Sequence, residues 1–172
     1  MRKIIMGLAV SLDSYIEGPN GEYDWCMADQ DYGLSAFFEH VDTCFYGRKS
    51  YEQMLASGGA PPGFPKFKEY VFSTTMSNAP AGTILVGKDL ETEVRRIKDE
   101  PGKDIWLYGG ASLIASLMEL GLVDQLWLSV HPILLGAGKP LFQDIRDRVP
   151  LELIDSKVYS TGLVSLTYEI KK

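Results

Sequence analysis

The sequence predicts an α/β fold with a mostly parallel central sheet, closed at one edge by an antiparallel hairpin. Three observations carry this. The stretch Asp104–Phe142 reads as strand, helix, strand; other short apolar runs end in Gly or hydroxyl residues where a helical pattern begins; and the C-terminal segment folds back about Ser160-Thr161-Gly162. In the first of these, Ile105-Trp106-Leu107-Tyr108 is an unbroken apolar run ended by Gly109-Gly110, as in a strand buried on both faces. Leu113, Ile114, Leu117 and Met118 then share one helical face, stopped by Gly121 in the C-cap role. In Gln125–His131, Leu126, Leu128 and Val130 alternate with Gln125, Trp127 and Ser129. Strand, helix and strand at this spacing make a right-handed βαβ unit.

In chain order, Lys3–Val10 is mostly apolar and reads as a central strand, and Ser11–Tyr23 is a loop dense in turn residues. A helix is predicted over Asp31–His40 with Leu34, Phe37 and Phe38 inward, then a short strand at Thr43–Tyr46. Gly47-Arg48-Lys49-Ser50 opens the next helix, which carries Tyr51, Met54 and Leu55. Ser57–Pro65 is a Gly/Pro loop. Glu69–Phe72 and Thr83–Val86 are further strands. A charged helix over Asp89–Lys98 turns Leu90, Val94 and Ile97 to one face, with Asp89 placed as its N-cap. Leu135–Pro140 is a Gly-Pro loop, and Leu151–Tyr159 with Leu163–Ile170 forms the hairpin. Val164, Leu166, Tyr168 and Ile170 alternate with Ser165, Thr167 and Glu169, a half-exposed strand pattern.

A chain of 172 residues fits one domain, 1–172, large enough for a substantial core. Its apolar and charged fractions, 45% and 23%, are those of an ordinary globular protein. No apolar run has the length of a membrane span. The short apolar start runs straight into Ser11-Leu12-Asp13 without a cleavage site, so it reads as a strand and the protein is expected in the cytoplasm. Cys26 and Cys44 are isolated, which gives no basis for a structural zinc site, and free thiols suit that compartment better than the one disulfide they could form. The net charge of −6 argues against a general nucleic-acid binder, though it leaves room for a local basic pocket.

In an open α/β sheet, ligands bind outside the carboxyl ends of the strands. Here those ends carry Gly47-Arg48-Lys49-Ser50, Ser73-Thr74-Thr75, Gly87-Lys88 and Gly109-Gly110-Ala111-Ser112. Gly109-Gly110 allows close approach of a ligand to the backbone, and a helix N-terminus offers free N–H groups and positive dipole to an anion. Singly, each fits a plain turn, a cap or solvated charge; four at one edge point to a phosphate-rich ligand. The spacing is not G-x-G-x-x-G, so a standard Rossmann site is not indicated. His40 reads as a surface residue and His131, before Pro132, as structural. No G-x-S-x-G, H-E-x-x-H or zinc-deaminase pattern occurs. A bound nucleotide cofactor that does the hard chemistry suits what remains.

At this point Met6–Gly18 (MGLAVSLDSYIEG), Tyr46–Glu52 (YGRKSYE), Tyr70–Thr74 (YVFST) and Tyr108–Phe142, with GLVDQLWLSVHPILLGAGKPLF inside it, carry a resemblance. The chain resembles the dihydrofolate-reductase-like superfamily, and within it the reductase domain of bacterial riboflavin biosynthesis and its stand-alone relatives. The resemblance implies a three-layer αβα sandwich and NADPH across the sheet edge. It implies that Gly47, Arg48, Lys49 and Ser50 hold part of the phosphates, Ser73 and Thr74 lie by the adenosine end, and Gly109, Gly110, Ala111 and Ser112 hold the pyrophosphate. Ala9 and Ile16 would flank the nicotinamide. Asp13 matches the riboflavin-type motif, and the helix that bears the dihydrofolate-reductase carboxylate corresponds to the region of Asp29 and Asp31, with Gly33 and Leu34 equally in register with the carboxylate itself. Trp25, Phe37 and Tyr51 are candidate aromatic walls for substrate, although such residues also serve as core. Tyr108, a fourth substrate-side candidate, stands where many riboflavin-pathway reductases carry Glu, and the deaminase half often fused to that reductase is not found in this chain.

The resulting expectation is an NADPH-dependent reductase that passes hydride to a pterin-like or ribosylaminopyrimidine-like heterocycle, with Asp13, Asp31 or ordered water as proton source. Its alternatives are dihydrofolate reductase proper and a nucleotide-binding protein that lacks the chemistry. Relatives with the LLGAGKPLF segment commonly form dimers, so a homodimer is expected through the edge near Ile133-Leu134-Leu135, an apolar run.

Overall fold

A computed structural model describes the whole chain, Met1–Lys172. Ten strands and four helices follow in the order β1 (Ile4–Ser11), β2 (Tyr15–Glu17), α1 (Leu34–Phe38), β3 (Val41–Gly47), α2 (Arg48–Ala56), β4 (Lys68–Phe72), β5 (Thr83–Val86), α3 (Leu90–Asp99), β6 (Asp104–Gly109), α4 (Ala111–Glu119), β7 (Gln125–His131), β8 (Lys139–Pro140), β9 (Leu151–Val158) and β10 (Val164–Ile170). Eight strands form one sheet in the order β5-β4-β3-β6-β1-β7-β10-β9. Neighbours from β5 to β7 are parallel, and β10 and β9 close one edge antiparallel. This is the architecture the periodicities predict.

The central strand β1 shows why. Ile4 and Met6 are wholly buried in the larger core, with Phe45, Ile105, Leu107 and Leu126, beneath Val94 and Ile97 of α3 and Leu113, Ile114 and Leu117 of α4. Ile5 points the other way, into an aromatic-rich cluster with Val41, Cys44, Tyr46, Phe67, Val71 and Trp106, covered by Phe37 of α1 and Tyr51 of α2. A strand covered on both faces has no polar face to alternate with, so it reads as a continuous apolar run. The layers are therefore α, β, α. On the aromatic face the Trp106 Nε1–H donates to the Gly7 carbonyl at 2.8 Å. A β-carbon at Gly7 would lie 3.0 Å from that nitrogen, so glycine makes room for the indole.

Several elements depart from expectation. α1 is confined to Leu34–Phe38, shorter than Asp31–His40, because Tyr32 (φ 51°) and Gly33 (φ 85°) are left-handed. Asp31 instead accepts from the Ser35 N–H and Oγ–H at 3.1 and 2.6 Å, which fixes the turn that enters the helix. Asp89 does occupy the N-cap position of α3, but its left-handed backbone (φ 51°) leaves its side chain making no capping bond. The predicted loops Ser11–Tyr23 and Leu135–Pro140 contribute β2 and β8, a two-stranded ribbon that pairs Tyr15 with Pro140 and Glu17 with Lys139. Ile133 and Leu134 are exposed as expected, but they follow β7, an interior strand, and so do not lie on a sheet edge. Cys26 and Cys44 are both free. No helix is long and apolar enough to cross a membrane.

Candidate functional site

β3, β4, β5 and β6 run parallel, so their carboxyl ends open on the same side of the sheet. α2 starts at the end of β3, α4 follows β6 with one residue between, and α3 starts shortly after β5. Around these ends lies a cleft of about 640 Å³, lined by Gly47–Ser50, Phe72–Thr75, Val86–Leu90, Gly110–Leu113, Ser116, Lys139 and Gln143. The N-cap positions of the three helices are Gly47, Asp89 and Gly110, and none makes a side-chain capping bond. The first N–H groups of a helix have no acceptor within it, so three sets of backbone donors face this region, each at the positive end of a helix dipole.

Side-chain charge has the same sign. Arg48, Lys49, Lys88 and Lys139 line the cleft against one acid, Asp89, although the chain as a whole carries −6. Arg48 Nη1 pairs with Glu52 one turn along α2 at 3.2 Å, and Lys139 Nζ lies 3.6 Å from Glu17 across the ribbon. Lys49 and Lys88 are exposed. Backbone crowding completes the seat. Gly47 has ordinary extended dihedrals (φ −70°), yet a β-carbon there would sit 3.1 Å from the Gly110 nitrogen. One at Gly110 would meet Ser50 Oγ at 2.8 Å. The Gly109–Gly110 peptide is cis, with Gly109 at φ 133°.

Of the residues named from sequence, the structure gathers Gly47, Arg48, Lys49, Ser50, Ser73, Thr74, Gly110, Ala111 and Ser112 in this cleft. Gly109 lies just behind it. Ser73 Oγ accepts from the N–H groups of Thr75 and Met76 at 3.2 and 3.1 Å, so it shapes its own turn, while Thr74 is exposed. Ala9 and Ile16 stand outside the lining. Ala9 pairs with Ser129 beside Trp127, on the aromatic side of β1, and Ile16 packs on the larger core. Sequence reasoning missed Lys139 and Gln143, which arrive from the segment after β7 and carry no local signal of a site. Lys88 had one, the Gly-Lys at a strand end.

The four aromatic candidates divide. Phe37 is 8% exposed, stacked 4.4 Å from Trp127 and edge-on to Trp106 at 5.5 Å; Tyr51 is 4% exposed and edge-on to Tyr46 at 5.2 Å. Both are core packing, and their rings are spent on other rings. Tyr108 and Trp25 stay half-buried. Tyr108 sits between Tyr46 at 4.9 Å and Trp106 at 5.1 Å, and burial pushes its hydroxyl up in pKa. The Trp25 ring is edge-on to His131 at 5.3 Å, and its Nε1–H donates to the Glu22 carbonyl at 3.3 Å. His131 is buried, its Nδ1 2.8 Å from the Ser129 carbonyl while Nε2 accepts the Met27 N–H at 3.1 Å, so it joins two segments.

The carboxylates are equally committed. Asp13 accepts from Ser11 Oγ at 2.6 Å, Gly136 N at 2.8 Å and Leu135 N at 3.1 Å, which ties the β1–β2 turn to the loop after β7. The Ser11 bond first, with the two amides, holds its pKa below the ordinary value against some desolvation. Asp31 is lowered chiefly by Ser35. Such groups are acceptors, and poor acids near neutrality. Asp29 accepts from the Tyr32 hydroxyl at 2.6 Å. Burial, then Asp24, pushes the Cys26 thiol up to about 11, and burial raises Cys44 further, so neither is a thiolate nucleophile near neutral pH. No group of three or more His, Cys, Asp or Glu is placed to hold a metal ion.

Comparison with known proteins agrees with this geometry. The family model described as the RibD C-terminal domain matches residues 2–165. The protein YyaP of Bacillus subtilis (strain 168), itself uncharacterized, is 44% identical over 177 residues, covering 97% of this chain and 94% of its own. A protein of Shewanella sp. PV-4, assigned provisionally to riboflavin biosynthesis, is 29% identical with a TM-score of 0.85, all of both chains being covered. Dihydrofolate reductase from Enterococcus faecalis, solved in complex with NADP(H) and RAB-propyl, superposes with a TM-score of 0.72 at 19% identity, covering 99% of this chain and 97% of its own. At that identity the likeness shows the fold alone.

Proposed function

The chain belongs to the RibD C-terminal domain family, and from that premise we propose that it is an NADPH-dependent reductase acting on a pterin-like or ribosylaminopyrimidine-like heterocycle. One observation carries the cofactor part: three helices begin on one cleft with no side-chain cap among them, and four cations line it against one acid. That donor set fits a ligand with several phosphates, because each uncapped N-terminus offers N–H groups and positive potential to an anion. When bound, the nicotinamide supplies hydride to an electron-poor C=N carbon of the substrate.

The chain's own residues would bind and orient. The N–H groups at the start of α2 and α4 would take phosphate oxygens, and Gly47 and Gly110 leave the space for them. Arg48, Lys49 and Lys88 would neutralise charge on the α2 and α3 side, and Lys139 and Gln143 would close over it from the ribbon side. Tyr108 and Trp25, the two of the four aromatic candidates that stay half-buried, would offer flat surfaces for a heterocycle. Asp13, Asp29 and Asp31 all hold their own loops, so water is the proton source consistent with this site.

The same commitment of carboxylates, with Tyr108 where many riboflavin-pathway reductases carry Glu, favours one rival: a nucleotide-binding protein without turnover. Mixing the protein with NADPH and a panel of dihydrofolate, pterins and ribosylaminopyrimidines, then following nicotinamide absorbance, separates the readings. The reductase reading expects consumption of NADPH with one class. Turnover with dihydrofolate alone assigns dihydrofolate reductase proper. Tight binding with no turnover across the panel assigns the rival, and no binding of NADPH overturns both.

A further inference from the structure

We propose that the substrate side of this site selects a flat heterocycle that is cationic or uncharged and carries neither phosphate nor carboxylate. The proposal deepens the reductase reading above. That reading supplies the reaction, and the rings and charges around Tyr108 supply the selectivity.

The face around Tyr108 is built of rings. Trp106, 5% exposed, is at its centre, with the ring centroids of Tyr108 at 5.1 Å, Phe38 at 5.7 Å and Phe64 at 6.2 Å. These three neighbours are only half-buried, so each keeps part of a ring free to meet a ligand. Phe38 and Phe64 also pack edge-on at 4.7 Å, which joins the rings into one surface. The face of an aromatic ring is the negative side of its quadrupole. It attracts a cation or an electron-poor ring and repels an anion.

The side-chain charges have the matching sign. From Ile4 to Gly47 the chain has no Lys or Arg, and every charged side chain is Asp or Glu. This span supplies α1 with Phe38 and the loop with Tyr23, Asp24, Trp25 and Cys26. The charge of Asp24 is felt at the Cys26 thiol, and Cys26 and Tyr23 are felt in turn at the Tyr108 hydroxyl, which puts the acidic loop beside that ring. Of the cations at the border, Lys157 lies over the Tyr159 ring at 4.9 Å and faces Asp31, and Lys66 is exposed. Arg48, Lys49, Lys88 and Lys139 gather instead in the cofactor cleft. A phosphate on the substrate would have to compete with the cofactor for those four, or sit unanswered among rings and acids. The two sides of one site thus prefer opposite charges.

The carboxylates point the same way. Asp13, Asp29 and Asp31 are all engaged as acceptors, so the proton must come from water. Negative surroundings favour the charged form of a bound C=N group, which takes up that proton before reduction. Its carbon then accepts hydride as the dihydronicotinamide is oxidised, and the C=N π pair becomes the nitrogen lone pair. No further proton is needed from the protein.

Matched ligands test the preference: 5-amino-6-(5-phosphoribosylamino)uracil against the same compound without its phosphate, and dihydrofolate against dihydropterin without the glutamate tail. Tryptophan quenching, corrected for ligand absorbance, reads binding on this side, because none of the three tryptophans lines the cation-lined cleft. Titrations are run with that cleft filled by saturating NADP⁺ and again without it. The phosphate-free and tail-free members should bind at least about tenfold more tightly with NADP⁺ present. Added salt should narrow each gap, since it screens a repulsion, whereas it weakens the binding of the cofactor itself. Asp24→Lys should narrow each gap by about threefold, and circular dichroism checks that this exposed change keeps the fold. Equal or tighter binding of the anionic members, a gap widened by salt, or no quenching by any member overturns the proposal. Its failure is distinct from that of the reductase reading. The preference without NADPH consumption sinks the reductase alone, and NADPH consumption only with dihydrofolate or the phosphorylated pyrimidine sinks the selectivity alone.

Discussion

On the proposed cofactor reading, NADPH should be preferred over NADH, and Arg48 and Lys49 should account for much of the gap. The phosphorylated ribose adds a dianion that NADH lacks, and these two cations open α2 beside its uncapped N-terminus. A charge-assisted hydrogen bond contributes about 1.5–3 kcal/mol when formed. Arg48 must first leave Glu52, a surface pair with side chains 38% and 52% exposed. Such an i,i+4 pair is worth about 0.3–0.5 kcal/mol. The net for Arg48 is therefore about 1–2.5 kcal/mol, and Arg48→Ala should weaken NADPH roughly five- to sixtyfold while NADH hardly changes. Lys49 is exposed and has no pair to give up, so Lys49→Ala falls toward the upper end. Glu52→Gln frees Arg48 and should tighten NADPH about twofold. Added salt should erode NADPH affinity more than NADH affinity, because exposed charges are screened. Fluorescence titration of both cofactors against the three variants measures all of this. If neither Arg48→Ala nor Lys49→Ala narrows the gap between NADPH and NADH, the phosphate seat is misplaced and the reasoning fails.

Three further outcomes follow from the geometry. Gly47→Ala introduces no strain in φ but sets a methyl 3.1 Å from the Gly110 nitrogen, so cofactor affinity should fall at least about tenfold with the fold retained; binding unchanged by titration would refute the close approach. Asp13→Asn keeps the shape of the side chain but loses its charge, so hydrogen exchange should speed up at Leu135 and Gly136 with little change in global unfolding. Asp124 accepts from Lys172, Lys98 and the Ile4 amide, which together outweigh the upward push of burial and leave its pKa below the ordinary value. A lowered folded pKa contributes stability that is present above the ordinary carboxylate range and lost as pH falls through the folded value. Lys98 is 4% exposed, so Asp124→Asn strands a buried cation and should cost about 3–5 kcal/mol near neutrality in denaturant unfolding, with the loss shrinking in acid.

What could be read from the chain, and what could not, divides along local and non-local physics. The parallel sheet was legible because strands covered on both faces, such as Ile105–Leu107, must be apolar throughout. The seat at the strand ends was legible because a glycine before a helix start is a backbone property, set within a few residues. Lys139 and Gln143 were not, since only the β2–β8 pairing carries their segment to the cleft, and two- and three-residue strands leave no periodicity. α1 is shorter than the predicted Asp31–His40 because Tyr32 and Gly33 are left-handed, a backbone conformation that side-chain periodicity does not report. Residue type also fails to say which face a ring occupies: Phe37 and Tyr51 looked like pocket walls, and they are packed against Trp127 and Tyr46. Asp13 shows the same limit for acids. Its loop position is what a catalytic carboxylate needs, but three donors from Ser11, Leu135 and Gly136 make it a fastener between two loops. On the proposed reading the two parts of the site thus rest on different foundations. Anion binding would follow from backbone placement at the helix starts and survive many side-chain choices, whereas substrate choice would depend on side chains outside the cleft lining, the half-buried rings of Tyr108 and Trp25, the second of them packed edge-on to His131.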